Sequence, residues 1–288
     1  MICTQCPRNC GVDRSEKVGF CGFHDEMMIS HVGLHRWEEP CISGQGGSGT
    51  IFFSGCSLRC VFCQNAEISR GVGGKAASPE DLVGIFKRLE QMGAENVNLV
   101  NPTHFTSQIR EALRLYKPST PVVWNSGGYE KAETIRTLEG LADIYLPDMK
   151  YYDKEVSFRY AKADDYFENA ASALREMARQ VGKAQFDERG MMTRGLIVRH
   201  LVLPAHVGQT EKILRWVRDN LPDAYVSLLG QYFPAGDAAE YPEINRRLKR
   251  KEYQRAVDAL DRLGIENGFL QELGSASAKY VPRFDGTY

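Results

Sequence analysis

Six apolar runs of strand length, at residues 49–54, 96–100, 121–125, 143–146, 196–203 and 224–229, alternate with segments of helical period. One helix is expected over 78–92, with Ser78 as N-cap, Pro79 in the first turn and Gly93 past the end. Others are expected over 107–116, 129–139, 165–181, 211–220 and 251–263. Short links between strand and helix require parallel strands and right-handed crossovers, so the chain is α/β. The expected architecture is a partial (β/α)6 TIM-type barrel with an N-terminal Cys-rich extension; an open α/β sheet is the rival. In both, chemistry belongs beyond the carboxyl ends of the strands.

Residues 1–48 lack this alternation, yet hold five of the eight Cys and three of the six His. Ligation would order a segment that has no core of its own. Residues 1–48 therefore read as a Cys-rich metal-binding extension, 49–240 as the barrel, and 241–288 as a helical extension packed on it. The basic run 246–251 reads as a solvated helix face, and the Gly-rich stretch 44–49 precedes a strand, which argues against a phosphate loop. Thirty-six basic against 37 acidic side chains leave a net charge of −1, so neither nucleic acid nor an anionic membrane is an expected partner. No run reaches the roughly 18 apolar residues of a membrane span, and the first residues lack the plan of a signal peptide. A cytoplasmic location follows, where thiols stay reduced and clustered Cys mean metal or iron–sulfur ligation rather than disulfides.

The first strand runs straight into Gly55-Cys56-Ser57-Leu58-Arg59-Cys60-Val61-Phe62-Cys63, a C-x3-C-x2-C array. Three thiolates can hold a 4Fe-4S cubane by three irons and leave the fourth open to an exogenous ligand. Gly55 lets the backbone approach such a cluster, and Phe62, beside the last ligand, can shield it from water. A three-Cys zinc site completed by His, or buried free thiols, is the alternative. Arg199 interrupts an apolar strand and is expected to reach across the barrel to an anion, with His200 on the opposite face.

The Cys56, Cys60 and Cys63 array resembles the signature of the radical S-adenosylmethionine (radical SAM) superfamily. The likeness extends over about 37–234 and is closest to proteins similar to pyruvate formate-lyase-activating enzyme. It implies a 4Fe-4S cluster whose open iron chelates S-adenosylmethionine, reductive cleavage to a 5′-deoxyadenosyl radical, and hydrogen abstraction from substrate. Asn101, Thr103 and His104 stand where many relatives carry a Gly-Gly-Glu stretch that receives the methionine amino group. Asn125 and Ser126 open a turn similar to the Asp-Thr-Asn-Gly turn of the activases, suited to a ribose or carboxylate. Asp148-Met149-Lys150 resembles their Asp-Leu-Lys, which implies a monovalent-cation ligand at Asp148 and a methionine-carboxylate contact at Lys150. The strand around Arg199 is similar to their Ile-Arg-Tyr-Val-Val-Val-Pro, with the methionine carboxylate as the implied anion. Gln231 or Tyr232 stands where activases tend to place a His near the adenosine. The implied partners are reduced flavodoxin or ferredoxin and a glycyl-radical enzyme.

Cys3, Cys6, Cys10 and Cys21 supply four more thiols, enough to close a second iron–sulfur cluster or a zinc site. The Cys-Pro-Arg-Asn-Cys opening with Gly19-Phe20-Cys21-Gly22 matches an activase-like subgroup, whereas the auxiliary Cys that many activases insert after the triad is missing here. Cys41 reads as a small buried residue. The expected function is radical SAM hydrogen abstraction, activating a glycyl-radical enzyme. Modification of a small molecule or protein side chain is an alternative, and a non-catalytic iron–sulfur electron carrier is the rival from another class.

Overall fold

The computed structural model describes residues 2–71, 73–271, 273–277, 282 and 284. In chain order the strands are β1 (Met27–His35), β2 (Ser48–Phe53), β3 (Lys75–Ala77), β4 (Val97–Val100), β5 (Val122–Ser126), β6 (Ile144–Pro147), β7 (Gln185–Phe186), β8 (Met192–Leu201), β9 (Tyr225–Leu229) and β10 (Gly268–Leu270). They form one unclosed sheet of order β10-β9-β8-β6-β5-β4-β2-β1-β3, with β7 paired to β8. Every pairing from β10 to β2 along this order is parallel, while β1 adds antiparallel to β2 and β3 antiparallel to β1. This is a partial barrel.

Strands that are apolar on both faces need cover on both. Outside, amphipathic helices supply it. The helix Pro79–Gln91 turns Leu82, Phe86 and Leu89 inward, each fully buried, at about 1.5–3 kcal/mol per side chain. Its start is the expected one: the Ser78 hydroxyl accepts from Asp81 N–H (3.1 Å), and the Asp81 carboxylate accepts from Ser78 N–H (2.9 Å). On the inner face, the short helix Pro40–Ser43 inserts Cys41 and Ile42 among Val123, Ile144, Leu146, Met192 and Ile197. Val123, Ile144 and Met192 lie toward the amino ends of their strands, so the helix plugs the barrel from that side. Cys41 is the small buried residue expected.

All six expected strands form, with ends shifted by at most four residues. Residues 27–35 were expected to lie in an extension without a core, but they pair along β2, and Met27 and Ile29 are buried. A register shift between Ile29 and His31 breaks the period-2 alternation that would have marked the strand. The segment 241–288, expected as helical, also carries β10, a seventh parallel strand among the described residues. The helix expected over 129–139 shortens to Ala132–Arg136, because Glu130 is fully buried and engaged before the helix begins. The helix Lys154–Ala161 was not anticipated. Among the described residues, no helix is long and apolar enough to cross a membrane.

Candidate active site at the carboxyl ends of the strands

The three-Cys loop leaves β2 through Gly55, whose φ is +86°. A Cβ there would lie 2.6 Å from the Cys21 carbonyl oxygen and 2.7 Å from the Phe23 ring, so only glycine fits. Gly55 N–H donates to the Ile68 carbonyl (2.7 Å), and Cys56 N–H to the Cys21 carbonyl (3.3 Å). The side-chain amide of Asn101, at the end of β4, donates to the Gly55 carbonyl. Arg8 donates to the Ser57 carbonyl (2.7 Å), and Arg59 to the Phe20 carbonyl (3.3 Å). The N-terminal segment and the loop are thus joined by one backbone hydrogen bond and two arginine side chains.

Cys56, Cys60 and Cys63 line a cavity of ≈ 470 Å³ at the carboxyl ends of the strands. Phe62 lines it too, its ring packed edge-on against Tyr151, Tyr160 and Tyr232. The Tyr151 hydroxyl donates to Cys60 Sγ (3.2 Å). Burial pushes the Cys60 thiol up to about 12, against the pull of Lys150. Such a thiol exchanges its proton for a metal when one is supplied.

Asp148 and Lys150 line the same cavity. Lys150 Nζ lies 2.5 Å from Asp148 Oδ2, and Arg199 Nε 3.4 Å from Asp148 Oδ1. Met149 N–H donates to the Arg199 carbonyl (2.7 Å), which carries the β6–β8 pairing past Pro147 and sets these side chains next to each other. Burial disfavours the charged form of Asp148, but Lys150 and Arg199 outweigh it and hold the carboxyl below its usual range. Burial likewise opposes the Lys150 ammonium, which Asp148 and the thiols of Cys60 and Cys63 more than offset.

Arg199 crosses the barrel as expected, yet the anions it meets belong to the chain. Nη1 donates to Glu38 (2.9 Å) and Nη2 to Asn125 Oδ1 (2.5 Å). Glu38 and Glu39, from the turn entering the plug helix, were not anticipated at the site. Glu38 also accepts from Asn98 (3.3 Å) and Asn125 (3.5 Å). Burial raises the Glu39 carboxyl, partly countered by Arg199. Two adjacent acids just before Pro40-Cys41-Ile42, and an Asn inside the apolar run 96–100, were the available signals.

Of the other expected residues, Asn101, Asn125, Ser126 and Gln231 line the cavity. Gln231 accepts from Gln271 (3.0 Å), and its carbonyl accepts from Gln64 (3.2 Å). Ser126 donates to the buried Glu130 carboxylate (2.8 Å), which also accepts from Trp124 (2.9 Å) and Thr103 (3.0 Å). The turn after it approaches β6 so closely that a Cβ on Gly128 would stand 2.1 Å from the Asp148 carbonyl. Thr103 and His104 are not brought to the cavity. The hydroxyl of Thr103 is taken by Glu130, and His104, fully enclosed, bonds the Ser54 carbonyl through Nε2 (2.6 Å), bracing the strand end before the Cys loop. Tyr232 packs behind Phe62 and donates to the Ile244 carbonyl (2.7 Å). His200 faces away, bonding the Met149 carbonyl (2.6 Å) and Thr210 (2.9 Å).

In the N-terminal segment a Cβ on Gly19 would lie 3.5 Å from Cys21 Sγ and 3.7 Å from Cys10 Sγ, so these thiols flank one point. Burial pushes the Cys6 thiol up to about 12, with Cys10, Cys3 and Cys21 adding to the rise. Among the described residues, no three or more His, Cys, Asp or Glu side chains converge tightly enough for a single metal ion. The Cys56, Cys60 and Cys63 set suits a 4Fe-4S cluster by its chemistry: three thiols on one cavity wall, and no fourth in the loop to close the last corner.

The profile described as the Radical SAM superfamily matches residues 50–185. Over 274 residues the chain is 34% identical to the uncharacterized protein MJ0674 of Methanocaldococcus jannaschii, covering 92% of this chain and 75% of that one. In fold it resembles SuiB of Streptococcus suis, with a TM-score of 0.51, 14% identity, and coverage of 77% of this chain and 48% of SuiB. It therefore spans about half of SuiB's length. Methylornithine synthase (PylB) gives a TM-score of 0.51 at 16% identity, over 77% of this chain and 70% of that one. With the three-Cys loop at the mouth of an unclosed parallel barrel, these findings establish that the chain belongs to the radical SAM superfamily.

Proposed function

We propose that this enzyme abstracts hydrogen from the glycine of a partner's glycyl-radical loop. The observation that carries the reading is the placement of Cys56, Cys60 and Cys63 in one cavity with the Asp148–Lys150 pair. When bound, the cluster and S-adenosylmethionine supply one-electron cleavage of the sulfonium to a 5′-deoxyadenosyl radical. The three thiols would hold the cluster, and Tyr151 steadies Cys60 by its hydrogen bond. Lys150, kept charged by Asp148, would meet the methionine carboxylate, and Asp148 a monovalent cation. Asn125, Ser126 and Gln231 would contact the nucleoside, and Phe62 keeps water from the thiols. Cys3, Cys6, Cys10 and Cys21 would hold a second iron–sulfur cluster, with zinc as the other possibility, and reduced flavodoxin or ferredoxin would supply the electron in the cytoplasm.

The activase reading rests on the likeness of the Asp148–Lys150 and Arg199 segments to activase strands. A small molecule or another protein side chain is the second reading, favoured by the enclosed polar floor formed by Glu38 and Glu39. Anaerobic reconstitution with dithionite and S-adenosylmethionine tests the proposal: 5′-deoxyadenosine should form, and should vanish in Cys56→Ala, Cys60→Ala and Cys63→Ala. Deuterium at the glycine Cα of a glycyl-radical enzyme should appear in that product. If no 5′-deoxyadenosine forms while the three-Cys cluster is intact, the electron-carrier reading replaces this one.

A further inference from the structure

The cavity has two polar levels. The upper level holds the Cys loop, Asp148, Lys150 and Gln231. The lower level enters from the amino-terminal side of the sheet, where the turn after β1 raises Glu38 and Glu39 under Asn125 and Arg199. Across the two levels Asp148, Glu38 and Glu39 face Lys150 and Arg199, three acids against two bases. Lys150 is taken by Asp148, and Arg199 by Glu38, Asn125 and Asp148. Glu39 is left over. It is 7% exposed, and its Oε2 neither accepts nor donates a hydrogen bond.

An enclosed carboxyl oxygen without a partner, beside a second acid on the cavity lining, calls for a donor group from a ligand. Anion recognition is disfavoured, because the guanidinium that would perform it is already ion-paired with Glu38 and Asp148. A purely structural role for Glu39 leaves unexplained why an acid, rather than an apolar residue, stands just before the apolar plug of Cys41 and Ile42.

We propose that the cavity floor is a substrate subsite for a primary ammonium or guanidinium group, held by Glu39 and Glu38. This rests on the reading that the substrate of the radical reaction enters this cavity. Such a group can belong to a free amine or to a Lys or Arg side chain of a peptide, and the chemistry recognised is the same. Glu39 is a positioning residue, which sets the distance between the bound cation and the carbon that loses hydrogen.

The test is calorimetric titration of anaerobically reconstituted protein, with S-adenosylmethionine present, using n-butylammonium, n-butanol and butyrate as probes of matched length. The ammonium should bind at least tenfold tighter than the other two, and Glu39→Gln should remove that preference. A lysine-containing tripeptide, run beside the free amine, separates the two sources by which binds tighter. Equal affinity for the three probes overturns the proposal, as does an ammonium preference unchanged in Glu39→Gln. Should that variant fail to fold, selectivity of the unmodified protein among the probes decides alone. Formation of 5′-deoxyadenosine on the same preparation separates the failures: product without ammonium selectivity sinks the subsite only, whereas loss of product sinks the radical reading.

Discussion

Acid should unfold this protein through two histidines that take no part in the chemistry. Burial lowers both His104 and His200 from an ordinary 6.5 to about 4. The folded chain keeps both imidazoles neutral, while the unfolded chain takes up protons from pH 6.5 downward. The stabilisation is therefore complete above about pH 6.5 and is lost as the pH falls toward 4. For one such group the loss at pH 5 is about 2 kcal/mol, from RT ln of the ratio of unfolded to folded binding polynomials, so the pair accounts for about 4 kcal/mol. Burial raises the Glu39 and Glu130 carboxyls, which work in the opposite sense. Comparing variants removes that common background. Guanidinium unfolding under anaerobic conditions, followed by the fluorescence of buried Trp124, should show His104→Gln and His200→Gln each losing about 2 kcal/mol less than the parent between pH 7.5 and pH 5. If either variant keeps the parent's pH dependence, that imidazole is not neutral and enclosed as described.

Gly55→Ala should cost about 3 kcal/mol or more, because the new methyl meets the Cys21 carbonyl and Phe23 in a left-handed backbone; thermal melts and iron content should fall together. Tyr151→Phe removes the hydrogen bond to Cys60 Sγ, and potentiometric titration followed by electron paramagnetic resonance should show the three-Cys cluster about 40 mV more negative, equivalent to about 1 kcal/mol for one electron. Glu130→Leu strands the donors of Trp124, Ser126 and Thr103 and should destabilise the fold by about 3 kcal/mol in denaturant titration. In a variant lacking Cys56, Cys60 and Cys63, metal analysis should still find iron; zinc without iron would remove the second iron–sulfur cluster.

The six expected strands were legible because parallel strands covered on both faces read as continuous apolar runs, and no tertiary detail alters that. Strand β1 was not, since Ser30, His31 and Gly33 interrupt it where a register shift inverts the alternation. The three residues of β10 are too few to carry a period. At the site, residues set by local motifs came through: the Cys loop, Asp148, Lys150, Asn125 and Ser126 all reach one cavity. His104 did not, although it sits at a strand end. A 3-10 turn over Thr103–Phe105 swings it back toward Ser54. Glu38 and Glu39 escaped notice because an acidic pair before proline has the local appearance of a surface turn. Only the plug's insertion, which brings residue 38 to residue 199, makes them interior.

The guanidinium of Arg8 bonds the carbonyls of Ser57, Ala161 and Lys162 while lying 3.9 Å over the Phe20 ring. One side chain near the start of the polypeptide thereby clasps three stretches far apart in sequence. A protease nicking the turn that precedes the plug should leave the front fragment still attached, to be released only by denaturant. Deleting the first two dozen residues, by contrast, would unmoor the thiol-bearing loop itself, and a shortened version made for convenience would be expected to fail at the step of loading iron.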